Sequence, residues 1–146
     1  MKKLILVITA IVASVAMVSA AEKVTRDVKV LPAEARRTLA SAFSKVNVNH
    51  IKIDSNLFGK KEYDVILDDG TEIEFDGDGK IKEVEAGNKG VPTSLVIKPI
   101  RDYISKNYSG QKIIKLDIGT SDYEIELFNG IGLKFDRSGK FLKVDR

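Results

Sequence analysis

The stretch EYDVILDDGTEIEFDGDGKIKEVE, Glu62 to Glu85, decides the fold class. Tyr63, Val65 and Leu67 alternate with Asp64, Ile66 and Asp68, and Ile73 and Phe75 alternate with Glu72 and Glu74. Strict alternation is the period of a strand with one face buried and one solvated. Asp69-Gly70 between two such runs predicts a two-residue hairpin turn of type I′, with positive φ at both central residues. Asp76-Gly77-Asp78-Gly79 reads as a type I turn, Asp first and Gly fourth, and Ile81 to Glu85 closes the unit. An antiparallel meander with one apolar face follows.

The pattern returns sixty residues later, where Tyr123, Ile125 and Leu127 face in, Asn129-Gly130 turns, and Leu133 and Phe135 return. At that offset Pro32 meets Pro92, Ile53 meets Ile113, Gly59 meets Gly119, Gly70 meets Gly130, and Phe75-Asp76 meets Phe135-Asp136. Gly79-Lys80 meets Gly139-Lys140, and Val84 meets Val144. These matches fall on turn glycines and alternating apolar positions, so the chain reads as two tandem copies in gap-free register. The first copy spans residues 31–85, a small polar linker 86–90, and the second copy 91–146.

Each copy opens on a helix. Pro32 suits a first helical turn, where its missing N–H is not needed, and Ala35, Leu39, Ala42, Phe43 and Val46 share one apolar face. Pro92 takes that place in the second copy, ahead of Val96, Ile100, Tyr103 and Ile104. Pro99 conflicts with a continuous helix, so this helix either kinks near Pro99 or starts there. His50 to Ser55 reads as the next strand, with Ile51 and Ile53 on one face. Ile114, Leu116 and Ile118 alternate one register off from that pair. Val24 to Val30 alternates weakly, as a short strand would, within an N-terminal extension of residues 21–30. The fold class expected is α+β: two tandem helix-plus-antiparallel-sheet repeats, with helices on one face of the sheet.

Met1-Lys2-Lys3, an apolar run from Leu4 to Val15, and Val18-Ser19-Ala20 ahead of Ala21 have the order of a secretory signal peptide over residues 1–20. Cleavage is expected after Ala20, with Ala21 as the alternative, leaving no stable membrane span. The chain has no cysteine, so a cysteine-anchored lipoprotein, disulfides and thiolate metal sites are out. The expected location is periplasmic or secreted. Lys2 and Lys3 supply two of the three formal positive charges, and no Lys/Arg run remains to read as a nucleic-acid footprint.

Leu31-Pro32, Tyr63-x-Val65-x-Leu67, Asp69-Gly70 and Phe75-Asp76-x-x-Gly79 together resemble the PepSY-like, β-lactamase-inhibitor-like family. Val91-Pro92, Tyr123-x-Ile125-x-Leu127, Asn129-Gly130 and Phe135-Asp136-x-x-Gly139 repeat the resemblance, which covers about Leu31 to Arg146. It implies a periplasmic protein with helices on one face of an antiparallel sheet, and it carries no catalytic residues. In that family the last strand of a repeat often holds a tryptophan. Here Ile81 and Phe141 stand there, and the chain contains no Trp.

Catalytic chemistry finds no foothold. His50, the only histidine, lacks the motif of a nucleophilic triad, and Ser94 to Lys98 has no nucleophile-elbow context. Asp76 to Gly79 is not an EF-hand: position 5 from Asp76 is Lys80, position 6 is Ile81 and position 12 is Gly87. No cofactor or metal is expected. The residues that alternation turns away from the helices are Ile66, Glu72, Glu74, Glu124, Glu126 and Phe128. They form the candidate partner-binding face, with Ile66 and Phe128 as apolar anchors inside an acidic rim. The reading reached is an exported, non-enzymatic, inhibitor-like module that engages an extracytoplasmic protein partner. The alternative is a structural or small-ligand-binding envelope protein.

Overall fold

The computed structural model describes residues 22–145; the N-terminal stretch read above as a signal peptide lies outside the described residues. In chain order the elements are β1 (Lys23–Thr25), α1 (Ala33–Ala42), β2 (Val48–Ser55), β3 (Lys61–Leu67), β4 (Glu72–Phe75) and β5 (Ile81–Glu85). Then come α2 (Lys98–Asn107), β6 (Ile113–Ile118), β7 (Asp122–Leu127), β8 (Gly132–Asp136) and β9 (Phe141–Asp145). The nine strands form one antiparallel sheet in sequence order. Among the described residues the fold is α+β, with two α-helices and an open sheet.

Two cross-strand rows explain why this sequence makes this sheet. One runs Thr25, Ile51, Val65, Ile73, Val84, Leu116, Ile125, Leu133, Val144 across all nine strands. From Ile51 to Leu133 every member is at most 2% exposed. One residue along, on the opposite face, the next row runs Val24, Lys52, Asp64, Glu74, Glu83, Asp117, Glu124, Lys134, Lys143. A slip of one residue in any strand would exchange these rows, so register is strongly specified. The core residues expected from alternation (Tyr63, Leu67, Phe75, Tyr123, Leu127 and Phe135) are all buried.

Both helices meet this apolar face at strand ends. A Cβ placed on Gly79, in the β4–β5 turn, would lie 2.8 Å from the Ala35 nitrogen and from Pro32 Cβ. One on Gly139, in the β8–β9 turn, would lie 2.7 Å from Pro99 Cβ. Tyr103 of α2 stacks on Phe141 at 4.7 Å and meets Phe135 edge-on at 5.3 Å. Ile81, the counterpart of Phe141, is half-buried and stands opposite Phe75 in the β4–β5 pairing.

The gap-free offset does not survive. Ile51 pairs with Val65 and Leu116 with Ile125, so β3 and β7 stand sixty residues apart while β2 and β6 stand sixty-five apart. The helices share the longer offset: the residue preceding α1 is Pro32 and the residue preceding α2 is Ile97. The extra length lies in the β2–β3 hairpin, whose connection is Asn56 to Lys60. It removes the register conflict at Ile114, Leu116 and Ile118, because Ile51 corresponds to Leu116 and not to Gln111, the residue sixty positions on. It also settles Pro99, which sits in the first turn of α2 where its lost N–H has no intrahelical partner to give up. Pro92 instead precedes a 3₁₀ turn, Thr93–Leu95.

Two local expectations are corrected. The Asp69-Gly70 hairpin is not type I′, because among the described residues only glycines have positive φ. Gly70 N–H donates to Leu67 O at 3.0 Å and Leu67 N–H to Thr71 O at 2.9 Å, a type I turn followed by one left-handed glycine. This loop puts the unfavourable φ on Gly alone and spares Asp69. The Val24–Val30 stretch is a strand only over Lys23–Thr25, then a 3₁₀ turn at Val28–Val30 whose entry Asp27 caps.

Candidate functional site

The face opposite the buried Ile51–Leu133 row is the surface left to read. Ile66 and Glu72 are cross-strand neighbours in β3 and β4, Glu74 and Glu124 lie in the charged row, and Glu126 sits two residues beyond Glu124 in β7. Phe128 falls just past β7, in the turn, and is 58% exposed. Its N–H donates to Lys112 O at 2.9 Å. Ile66 and Glu74 are half-buried, while Glu72, Glu124 and Glu126 are exposed.

Five consecutive carboxylates, Asp64, Glu74, Glu83, Asp117 and Glu124, cross the centre of this face. Like charges opposite each other are destabilising, and three lysines offset this. Lys82 holds Glu62 at 2.8 Å and Glu74 at 2.7 Å, Lys115 holds Glu83 at 3.1 Å and Glu85 at 3.7 Å, and Lys134 holds Asp122 and Glu124 at 2.8 Å each. Hydrogen bonds to these carboxylates raise the pKa of each lysine above its ordinary value. Asp64 and Asp117 have no such partner among the described residues. Both carboxyls are pushed above 3.8 by burial first, then by Glu74 and Asp54 at Asp64 and by Glu83 and Glu124 at Asp117, against the opposing pull of Lys52 and Lys115.

A carboxyl raised in the folded state binds more protons folded than unfolded, so stability falls as pH rises from 3.8 through the raised value. The double variant Asp64→Asn, Asp117→Asn is therefore expected to melt above the parent at pH 7, with the gap closing as pH is lowered toward 3.8. Thermal melts across that range check this. A gap that ignores pH would remove the two aspartates as the cause.

One notch breaks the face. Gly132 pairs with Glu126 as Glu72 pairs with Ile66, and a Cβ there would lie 2.5 Å from Asp145 O. Gly132 also lines an open depression of about 430 Å³, together with Lys115, Asp117, Glu124, Glu126 and Asp145, among others. Alternation does not single out Lys115, because it shows the face of a residue but not its neighbours. His50 lies on the same face beside Ile66, its Nδ1 2.8 Å from Asn49 Oδ1. Among the described residues no group of three or more His, Asp or Glu side chains is placed to hold a metal ion.

A family model described as "Putative beta-lactamase-inhibitor-like, PepSY-like" matches residues 61–143. The chain belongs to this PepSY-like family. Three solved structures share the PepSY-like chain's fold. A "putative periplasmic protein of unknown function" from Bacteroides vulgatus is 40% identical with a TM-score of 0.82, over 86% of this chain and 100% of its own. A "putative calcium-regulated periplasmic protein" from Bacteroides thetaiotaomicron is 30% identical with a TM-score of 0.81, over 86% of this chain and 97% of its own. A second "putative periplasmic protein" of B. vulgatus, from the DUF2874 family, is 30% identical with a TM-score of 0.81, over 88% of this chain and 99% of its own. No curated protein matches the PepSY-like chain. No helix among its described residues is long and apolar enough to cross a membrane, and neither family nor neighbours indicate an enzymatic role.

Proposed function

We propose that this PepSY-like chain is exported to the periplasm and acts as a non-enzymatic, inhibitor-like binding module. It grips a protein partner through the open sheet face around Ile66, Glu72, Glu74, Glu124, Glu126 and Phe128. The chain is two copies of one helix-plus-sheet unit joined at β5–β6, the first longer by the β2–β3 loop. The observation that carries the reading is the uncovered row of five carboxylates, only partly neutralised by Lys82, Lys115 and Lys134. A partner suited to it presents a basic surface with an apolar socket for Phe128. Periplasmic neighbours of the same fold and the signal-like residues 1–20 support the location.

Phe128→Ser tests the face. The residue is exposed and its counterpart sixty residues earlier is Asp68, so the fold does not need an aromatic there. The variant is expected to keep its melting temperature while binding the partner about tenfold more weakly, roughly 1.4 kcal/mol. A variant that unfolds, or a partner that binds it equally well, sinks the assignment.

The small-ligand alternative draws on the neighbour described as calcium-regulated. In this chain the Asp76 carboxylate already accepts the Asp78 and Lys80 N–H groups at 2.9 Å each. A melting temperature that climbs with added calcium would favour that alternative over the protein-binding reading.

A further inference from the structure

β5 and β9 are built alike and end differently. In β5, Ile81 stands opposite Phe75, Glu83 opposite Glu74 and Val84 opposite Ile73, with a register shift between Glu74 and Phe75. In β9, Phe141 stands opposite Phe135, Lys143 opposite Lys134 and Val144 opposite Leu133, with the shift between Lys134 and Phe135. The far side of β5 is taken by β6, which sets Leu116 against Val84 and Lys115 against Glu85, and Val84 is 0% exposed. β9 ends the sheet and pairs only with β8 among the described residues. Val144 is 45% exposed and its neighbour Leu142 51%, so the apolar row that crosses the sheet stops on an uncovered valine.

An open strand edge is a template for another strand, and direction and charge say which. The strands alternate in direction, so β1 and β9 run the same way. A second copy joined head to tail, apolar faces on one side, would set β1 against β9 in parallel, the weaker pairing. β1 offers only Lys23–Thr25 for it. A twofold axis normal to the sheet instead sets β9 against β9, antiparallel and with both apolar faces on one side. With that axis at Val144, Lys143 of each copy stands opposite Asp145 of the other, and Val144 meets Val144. These are the kinds of pair that join β5 to β6, Val84 with Leu116 and Glu85 with Lys115; here one strand carries both halves of the charge pair. An axis at Lys143 would set two lysines face to face, which is destabilising. Neighbouring charges do not oppose the Val144 register. Lys134, opposite Lys143 in its own copy, is held by Asp122 and Glu124 at 2.8 Å each. Lys143 and Asp145 lie 3.5 Å apart along their own strand, and the two Lys140 residues stand at opposite ends of the pairing.

We infer that this edge is a self-association site: two copies pair through β9 about a twofold axis at Val144 and form one continuous antiparallel sheet. Such a pairing uses the same strand of both copies, so it closes at a dimer and does not propagate. It adds strands beside the sheet and nothing over it, so the face around Ile66 and Phe128 stays open. The five residues of β9 on each side bury less than the roughly 1,600 Å² of a standard interface, so association is weak and concentration-dependent.

The test is sedimentation equilibrium of the purified full chain at concentrations up to on the order of 100 µM, where so small an interface is populated. The parent is expected to show a monomer–dimer equilibrium. Lys143→Asp sets carboxylates against carboxylates across the axis, and Asp145→Lys sets ammonium groups against ammonium groups. Each variant alone is therefore expected to dimerise about tenfold more weakly. An equimolar mixture of the two restores both opposite-charge pairs and is expected to associate like the parent, which also shows that each variant is folded. The chain has no cysteine, so Val144→Cys places a single thiol at the axis. Directly opposed residues of an antiparallel pair lie about 4.5–5.5 Å apart at Cα, within reach of a disulfide. On oxidation Val144→Cys is expected to cross-link to a dimer, and Val24→Cys, on the β1 edge, to stay monomeric. A parent that is monomeric throughout overturns the proposal. So do a dimer unmoved by either charge change, a mixture without rescue, and cross-linking of Val24→Cys in place of Val144→Cys.

Discussion

Phe135→Ala is expected to destabilise the chain by about 3–5 kcal/mol, the range for truncating a fully buried phenylalanine. Phe135 is 0% exposed, pairs across strands with Tyr123, and touches Tyr103 edge-on at 5.3 Å and Phe141 at 5.9 Å. The cavity would open beneath α2, where Tyr103 and Phe141 stack on each other and both lean on the Phe135 ring. Phe75 is equally buried and pairs with Tyr63, but no aromatic pair joins it to a neighbour among the described residues. Phe75→Ala should therefore fall at the lower end of the range, since each aromatic pair adds roughly 0.5–1.5 kcal/mol beyond its buried area. Urea or thermal unfolding measures both. A Phe135→Ala protein as stable as the parent would place that ring outside the core.

Gly79→Ala is expected to cost about 2–5 kcal/mol through two separable effects. Its φ of +86° lies in the left-handed region that disfavours a Cβ by roughly 1–2 kcal/mol. The added carbon would also sit 2.8 Å from the Ala35 nitrogen and Pro32 Cβ, so the first turn of α1 must lift off the β4–β5 hairpin. Such overpacking costs roughly 1–3 kcal/mol more. Gly70 has the same φ of +86° with nothing within 4 Å, and Gly70→Ala should show the backbone effect alone, about 1–2 kcal/mol. Equal losses at the two glycines would mean that helix contact adds nothing at Gly79.

Much of this is legible in the residues. The Tyr63–Leu67 and Tyr123–Leu127 alternations give the correct faces, because each of these strands has one face buried in the core and one in water. The helix stripes at Ala35 and Ile100 give buried contacts for the same reason. What fails is counting across a loop. Pro32 and Pro92 match at an offset of sixty, yet the residues preceding the two helices are Pro32 and Ile97, because a hairpin can lengthen by five residues without moving its partner strands. Backbone hydrogen bonds record that insertion; side-chain period does not. The Asp69-Gly70 dipeptide permits two loop types, and only the φ of Asp69 separates them. On the candidate face, the row of carboxylates cannot be read from one strand at a time, since it exists only after the five strands β3 to β7 are set in register. The open edge at β9 escapes the same reading, because alternation assigns a face to a residue and no place in the sheet to a strand.

The pairing of β5 with β6 has a consequence for how the molecule is made. Val84 and Leu116 meet across that seam and both are 0% exposed, so the apolar layer runs through the join without a polar boundary. As the chain leaves the ribosome, β5 emerges well before β6, with α2 and its approach between them. Until residue 118 is available, the first half carries an unpaired strand edge beside uncovered Val84, the combination that invites association between nascent chains. Cutting the gene between the halves would make that transient state permanent. The apolar layer is thus shared across the middle of the chain, and a first half expressed alone is expected to self-associate through its open β5 edge.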